Sequence, residues 1–339
     1  RGYAPTLGSI CRRLSGCVLL LSLLLQGAAL AQDSPRPGGP PQIAVLLFHK
    51  GFQATVQGLQ DGLRKQGYTA GENIHLELRD IDRDVSQIPA LVQGFLDRGY
   101  DLLVTTTTPI IRKVQQLTAH KPVPVIFTTV ASPLHSKVVA SLRNPGGNIS
   151  GISHIAFEML AKRLQLFKSA FPGLRRIALF YNHQEPFLKG HVDEFLLPAA
   201  VELGVELVQL DVTEPGQLEQ YAHAPVWQGI DGILMLPDPL QVAMFDQLVG
   251  LSRSRRLPLM VLDNALLARG GVIGYSPEFY DVGLQAAEMA VAVLRGADIG
   301  RMPVQNPSRI SLRVSLREAR RLGLLPSHDI LIQADEIIR

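Results

Sequence analysis

Beyond its first 31 residues this sequence has no cysteine, because Cys11 and Cys17 both precede Gln32. The rest of the chain therefore holds no disulfide, no thiol nucleophile and no thiolate metal site. Charge of one sign is also missing: 33 Lys and Arg against 30 Asp and Glu leave a net +3, and the basic residues are scattered. That excludes the basic footprint of a nucleic-acid binder. After the leader no apolar run is long enough to cross a bilayer, so stable membrane insertion is not expected. Aromatics are sparse, and Trp227 is the one tryptophan. An aromatic platform for a ligand falls instead to Phe48, Phe52, Phe187 or Tyr280, with most other rings in the core. Catalytic signatures are weak too. Gly151-Ile152-Ser153-His154-Ile155 lacks the second glycine of a nucleophile elbow. His183-Gln184-Glu185 and His191-Val192-Asp193-Glu194 lack metal-ligand spacing and read as solvated surface. Gly147-Asn148-Ile149-Ser150-Gly151 is a turn and not a dinucleotide fingerprint. No cofactor and no enzymatic activity is expected.

What is present begins with a leader. Residues 1–31 read as a signal peptide: Arg12-Arg13 is the basic region, residues 18–25 the apolar stretch, and Ala29-Leu30-Ala31 the cleavage pattern. Leu14-Ser15-Gly16-Cys17 precedes the apolar stretch and does not follow it, so a lipid anchor is not expected. Export to the periplasm is the expectation. Residues 32–41 form a Pro/Gly linker.

From residue 42 apolar runs alternate with amphipathic stretches. Strands are predicted over 43–48, 73–79, 102–104 and 124–129, and a strand or crossover segment over 149–155, with helices over 52–66, 86–98, 110–119 and 137–143. The pattern then restarts. Strands are predicted over 176–181, 207–212, 232–236, 259–262, 271–275 and 308–314, with helices over 159–171, 189–203, from 218 to 223, 242–252, 281–295 and 315–322. Strand–helix alternation repeated twice predicts an α/β protein of two doubly wound, parallel-sheet lobes.

Each predicted strand ends in a polar loop, and the organising one is Thr105-Thr106-Thr107-Thr108-Pro109. Thr108 is the expected N-cap and Pro109 the first helical residue. In open α/β sheets ligands bind beyond the carboxyl ends of strands. Hydroxyls at Thr107, Thr108, Thr129 and Ser132, beside a helix N-terminus, suit a carboxylate. Asn182, Glu185, Asp238 and Asp263 lie at strand ends of the second half, where the acids suit an ammonium group. Phe48 and Tyr280 complete the candidate set. Singly, each acid reads as an ordinary helix cap.

Gly58 through Leu63, Gly67-Tyr68 and Gly71-Glu72-Asn73 resemble the opening of a family of ABC-transporter substrate-binding proteins, one that includes tryptophan/tyrosine-binding lipoproteins. Thr108-Pro109, the run Asn144-Pro145-Gly146-Gly147-Asn148-Ile149-Ser150-Gly151, Tyr181-Asn182 with Glu185, and Tyr280-Asp281 with Gly283 match the same pattern in order, over about 42–325. The resemblance implies a type I periplasmic-binding-protein fold: two lobes joined by three crossovers and closing over a small molecule. It implies lobe 1 at 42–156 and 274–304 and lobe 2 at 157–273 and 305–339. Thr108, Glu185, Asp238 and Asp263 fall on cleft loops by that pattern. Ser132 departs from it, since the family usually carries an acid before the proline matching Pro133. The implied role is a monomeric periplasmic protein that passes a small polar ligand, an amino acid or related carboxylate, to an ABC permease. A ligand-binding partner of a sensor-kinase ectodomain is the alternative, and a periplasmic α/β enzyme ranks last.

Overall fold

The computed structural model describes residues 39–221 and 225–339. The leader, most of the linker and the end of the short helix expected at 218–223 lie outside the described residues.

The first lobe runs β1 (Gln42–Leu47), α1 (Gln53–Lys65), β2 (His75–Asp80), α2 (Ile88–Arg98), β3 (Leu102–Thr106), α3 (Thr108–Thr118), β4 (Val125–Val130) and β5 (Ile149–Ser153). Its sheet has the order β2-β1-β3-β4-β5, and every pairing is parallel. Side chains alternate across such a sheet, which is why β1 is apolar from Ile43 to Leu47. Ile43, Val45 and Leu47 pack with Val56, Leu59 and Val282, while Ala44 and Leu46 face Ile88, Val92 and Phe95.

The second lobe continues with α4 (Leu160–Ala170), β6 (Arg176–Tyr181), α5 (Pro186–His191), a π-helical turn Val192–Leu196, α6 (Leu197–Glu202) and β7 (Glu206–Asp211). Then come β8 (Gly232–Leu234), α7 (Pro239–Ala243), α8 (Phe245–Arg255), β9 (Leu259–Val261) and β10 (Ile273–Pro277). The chain then makes α9 (Phe279–Leu294), β11 (Ile310–Ser315), α10 (Leu316–Arg321), α11 (His328–Gln333) and β12 (Glu336–Ile338). Seven strands order as β12-β11-β10-β9-β8-β6-β7. The same two-sided packing recurs, with Ile177, Leu179 and Tyr181 on one face and Ala178 and Phe180 on the other.

The structure corrects the expected arrangement of sheets and connections at four places. The second sheet is mixed, because β11 pairs antiparallel with β10. Residues 137–143 form turns and no helix, with Lys137 at φ +55°. The return to lobe 1 comes after β10, which belongs to the second sheet and not to lobe 1 as a boundary at 274 implies. Finally α11 and β12 extend the second lobe beyond the last predicted helix.

Helix α9 carries the return and lies along α1. The fit depends on two glycines. A Cβ on Gly58 would lie 2.0 Å from the Tyr280 carbonyl oxygen, and one on Gly283 would lie 2.1 Å from that of Thr55. The connections are also tied together. Ser153 N–H donates to Gln305 O at 2.8 Å, Gln305 N–H to Gly151 O at 2.9 Å, and Glu278 N–H to Arg309 O at 3.0 Å. Arg163, wholly buried on α4, donates to Ala156 O, Leu262 O and Tyr275 O at 2.7–3.2 Å.

Candidate functional site

The parallel strands of lobe 1 bring their carboxyl ends to one edge. Phe48 N–H there donates to Thr106 Oγ1 at 2.9 Å, which ties β1 to β3. Thr105 and Thr106 are strand residues, so the expected four-threonine loop shortens to one residue before the helix. That residue, Thr107, is the N-cap of α3; Thr108 and Pro109 are already helical, one position earlier than expected. Thr107 sits at φ +65° and ψ 155°, a costly conformation for a β-branched residue. Its N–H donates to Thr128 O at 3.0 Å, which fixes the turn. Its Oγ1 makes no capping bond and is buried without a partner. The first-turn amides of Thr108 and Ile110 have no intrahelical acceptor.

One strand over, Thr129 is also left-handed, at φ +54°. It is 6% exposed, and its Oγ1 likewise has no partner. Thr108 Oγ1 is engaged, accepting the Ala131 N–H at 3.4 Å. Ser132 pairs with His135 Nδ1 at 3.2 Å. The ring of His135 in turn lies 5.7 Å from Phe187 and 4.9 Å from His191, so the loop after β4 touches α5 of the other lobe. The structure therefore gathers Phe48, Thr107, Thr108, Thr129 and Ser132 at one edge. Tyr280 is not with them: its hydroxyl donates to Asp61 on α1 at 3.0 Å, on the α1–α9 seam.

In lobe 2 the acids cap short helices and stand at strand ends at the same time. Asn182 Oδ1 accepts Gln184 N–H, and Glu185 accepts from Phe187 and Leu188 at the start of α5. Asp238 accepts the Leu240 N–H at 3.0 Å and Asp263 the Ala265 N–H at 2.9 Å. A carboxylate with one such bond keeps lone pairs for a ligand. Burial pushes Asp238 upward from the ordinary carboxylate range, opposed by its cap bond and reinforced by the charge of Glu185. Burial pushes Asp263 up to about 6, against its cap bond and the Arg163 cation.

A family model described as ABC transporter substrate binding protein matches residues 42–338. The chain belongs to that family. Among curated proteins this substrate-binding protein is similar to a tyrosine-binding protein of Clostridioides difficile, 26% identical, over 77% of this chain and 74% of that one. Among solved structures it resembles an ABC domain of Streptococcus pneumonia in complex with L-Trp, 25% identical with TM-score 0.76, covering 88% of this chain and 100% of that one. It also resembles a ligand-free, open substrate-binding protein with adhesive properties from Clostridium difficile, 24% identical with TM-score 0.71, covering 89% and 99%.

Of a run of rings on the substrate-binding protein, only Phe52 is among the rings expected from sequence. His49 lies 5.0 Å from Phe52, Phe52 lies 5.1 Å from Phe279, and Phe279 lies 5.9 Å from His154. His49 Nδ1 accepts the Gly51 N–H at 2.9 Å, and its pKa is lowered by burial and by Arg83. His154 follows β5, is 9% exposed, and leaves Nε2 buried without a partner. Burial and the nearby Arg163 cation push it down to about 3, so the ring is neutral. The expected strand or crossover segment over 149–155 hides its place, since only the structure ends β5 at Ser153. A groove between α1 and the start of β2, lined by Gln60, Leu63 and Tyr68, lies away from these strand ends.

Proposed function

We propose that this chain is the periplasmic solute-binding component of an ABC importer, and that its ligand is a free aromatic amino acid. One observation carries the reading: Thr107 and Thr129 hold buried hydroxyls without partners at an uncapped helix N-terminus. An unmet buried polar group costs about 1–3 kcal/mol, and a ligand carboxylate would meet both hydroxyls and the first-turn amides. The acids of lobe 2, Asp238 and Asp263 foremost, would take the ammonium group. The rings of Phe48, Phe52 and Phe279 supply the apolar side of the pocket. The tyrosine- and tryptophan-binding relatives support this ligand class. Binding would close the lobes about the crossovers, and an ABC permease would take the closed form.

Calorimetric titration of the mature chain, freed of ligand, with the twenty amino acids tests the reading. Saturation at about 100 times Kd should add about 2.7 kcal/mol of stability. Thr107→Val should weaken binding by about tenfold or more, still within calorimetric range, with its melting temperature within a few degrees of wild type. Absence of binding to any amino acid at millimolar concentration overturns the proposal.

A further inference from the structure

His154 stands apart from the residues assigned so far, because it follows β5 where the chain enters the first connection between the lobes. Its backbone is fixed: His154 N–H donates to Val130 O at 2.8 Å, and Ser153 beside it is bonded to Gln305. The following residue, Ile155, is at φ +45°, an uncommon conformation for a β-branched side chain. The imidazole is therefore held in one place, buried, and without a hydrogen-bond partner at Nε2. Buried polar atoms in folded proteins nearly always have partners, so an orphan at a ligand-binding edge points to a ligand atom.

Position narrows what that atom is. β3, β4 and β5 are neighbours in the sheet, so Thr107, Thr129 and His154 stand in a row at their ends. Adjacent strands are about 4.8 Å apart, which puts His154 two spacings, roughly 10 Å, from Thr107. A carboxylate at one end of that row and a group on the far side of an aromatic ring at the other end span such a distance. The Phe279 ring, 5.9 Å from His154 and 5.1 Å from Phe52, lines the interval with apolar surface.

We propose that His154 is the specificity-determining residue of the site, its acceptor nitrogen receiving an O–H or N–H carried on the ring of an aromatic amino acid. A neutral imidazole has one acceptor nitrogen available, and burial, helped by the Arg163 cation nearby, keeps it unprotonated. The phenol of tyrosine and the indole of tryptophan both present such a donor, and phenylalanine presents none. A site built around a buried acceptor rejects the ligand that leaves it unpaired, by much more than a missing methylene would cost. This inference rests on the amino-acid reading given above.

The test measures Kd by calorimetry for two matched pairs: L-tyrosine against L-phenylalanine, and L-tryptophan against its benzothienyl analogue, in which sulfur replaces the indole N–H. Wild type should favour the donor-bearing member of at least one pair by about tenfold or more. His154→Phe keeps a ring of similar size without an acceptor, and should bring that ratio to within about twofold of unity, with the donor-free ligand bound as well as before. His154→Leu repeats the measurement should the phenylalanine variant not fold. Thr107→Val is the contrast: it should weaken both members of a pair together and leave the ratio unchanged. A wild-type ratio near unity, or a ratio that survives in both His154 variants, overturns the assignment to His154 while leaving amino-acid binding intact. Failure of wild type to bind any of the four ligands overturns the underlying reading as well.

Discussion

Asp263 makes the most direct link between a single side chain and a measurable property. Its carboxyl, raised to about 6 in the free protein, is largely protonated at pH 5 and ionised at pH 7.5. Only the ionised form attracts an ammonium group. Ligand affinity should therefore rise with pH through about 6 and level off above it, and Asp263→Asn should flatten the profile; Kd at pH 5, 6 and 7.5 checks both. Glu77 acts in the opposite sense and on stability. Arg98 foremost, with Tyr100 and Arg79, pulls it down to about 2 from an unperturbed value of 4.5, against burial. Its folded-state pKa lies below the unfolded one, so the stabilisation is complete above about pH 4.5 and is lost as pH falls toward 2. Urea melts of wild type and Glu77→Gln should converge over that interval and differ at neutral pH. Thr107 joins strain to use. Thr107→Gly should stabilise the fold by about 1 kcal/mol, by relieving the φ +65° backbone, and should weaken ligand binding.

At the scale of elements, the α1–α9 seam and α2 make a matched pair of tests. Gly58→Ala places a methyl group 2.0 Å from a carbonyl oxygen that cannot move without shifting α9, so a loss of about 3 kcal/mol is expected in urea unfolding. Gly94→Ala in α2 meets nothing within 4 Å and should stabilise by about 0.5–1 kcal/mol. The elements were largely legible from the amino acids alone. Ile43 to Leu47 reads as a strand because a sheet covered on both faces needs unbroken apolar residues. The start of α3 was misread by one residue, since Thr107 and Thr108 are both good caps and only the turn fixed by Thr128 O selects between them. The direction of β11 left no trace in its own alternation, because parallel and antiparallel strands share a period of two. The acids were read correctly both as strand-end residues and as caps, since each is both. His154 was illegible as a candidate because its signal, an unmet nitrogen, exists only once burial is known.

Across the whole molecule, Arg163 holds together what the connections join. It gathers carbonyls from the first connection, the end of β9 and β10. Arg163→Ala would strand three buried carbonyls, and a loss of at least about 3 kcal/mol is expected by chemical denaturation. The seam on α1 also has a consequence for how the chain acquires its shape. Val282, Ala286 and Ala290 of α9 complete a hydrophobic face begun by Ile43, Val56 and Leu59, more than two hundred residues earlier. A chain arriving N-terminus first must hold that face open while the whole second sheet up to β10 is made. The first-begun half thus cannot finish until α9 is made, which sets a long loop closure on the folding path and leaves α1's apolar stripe exposed to chaperones or proteases until residue 294 is in place.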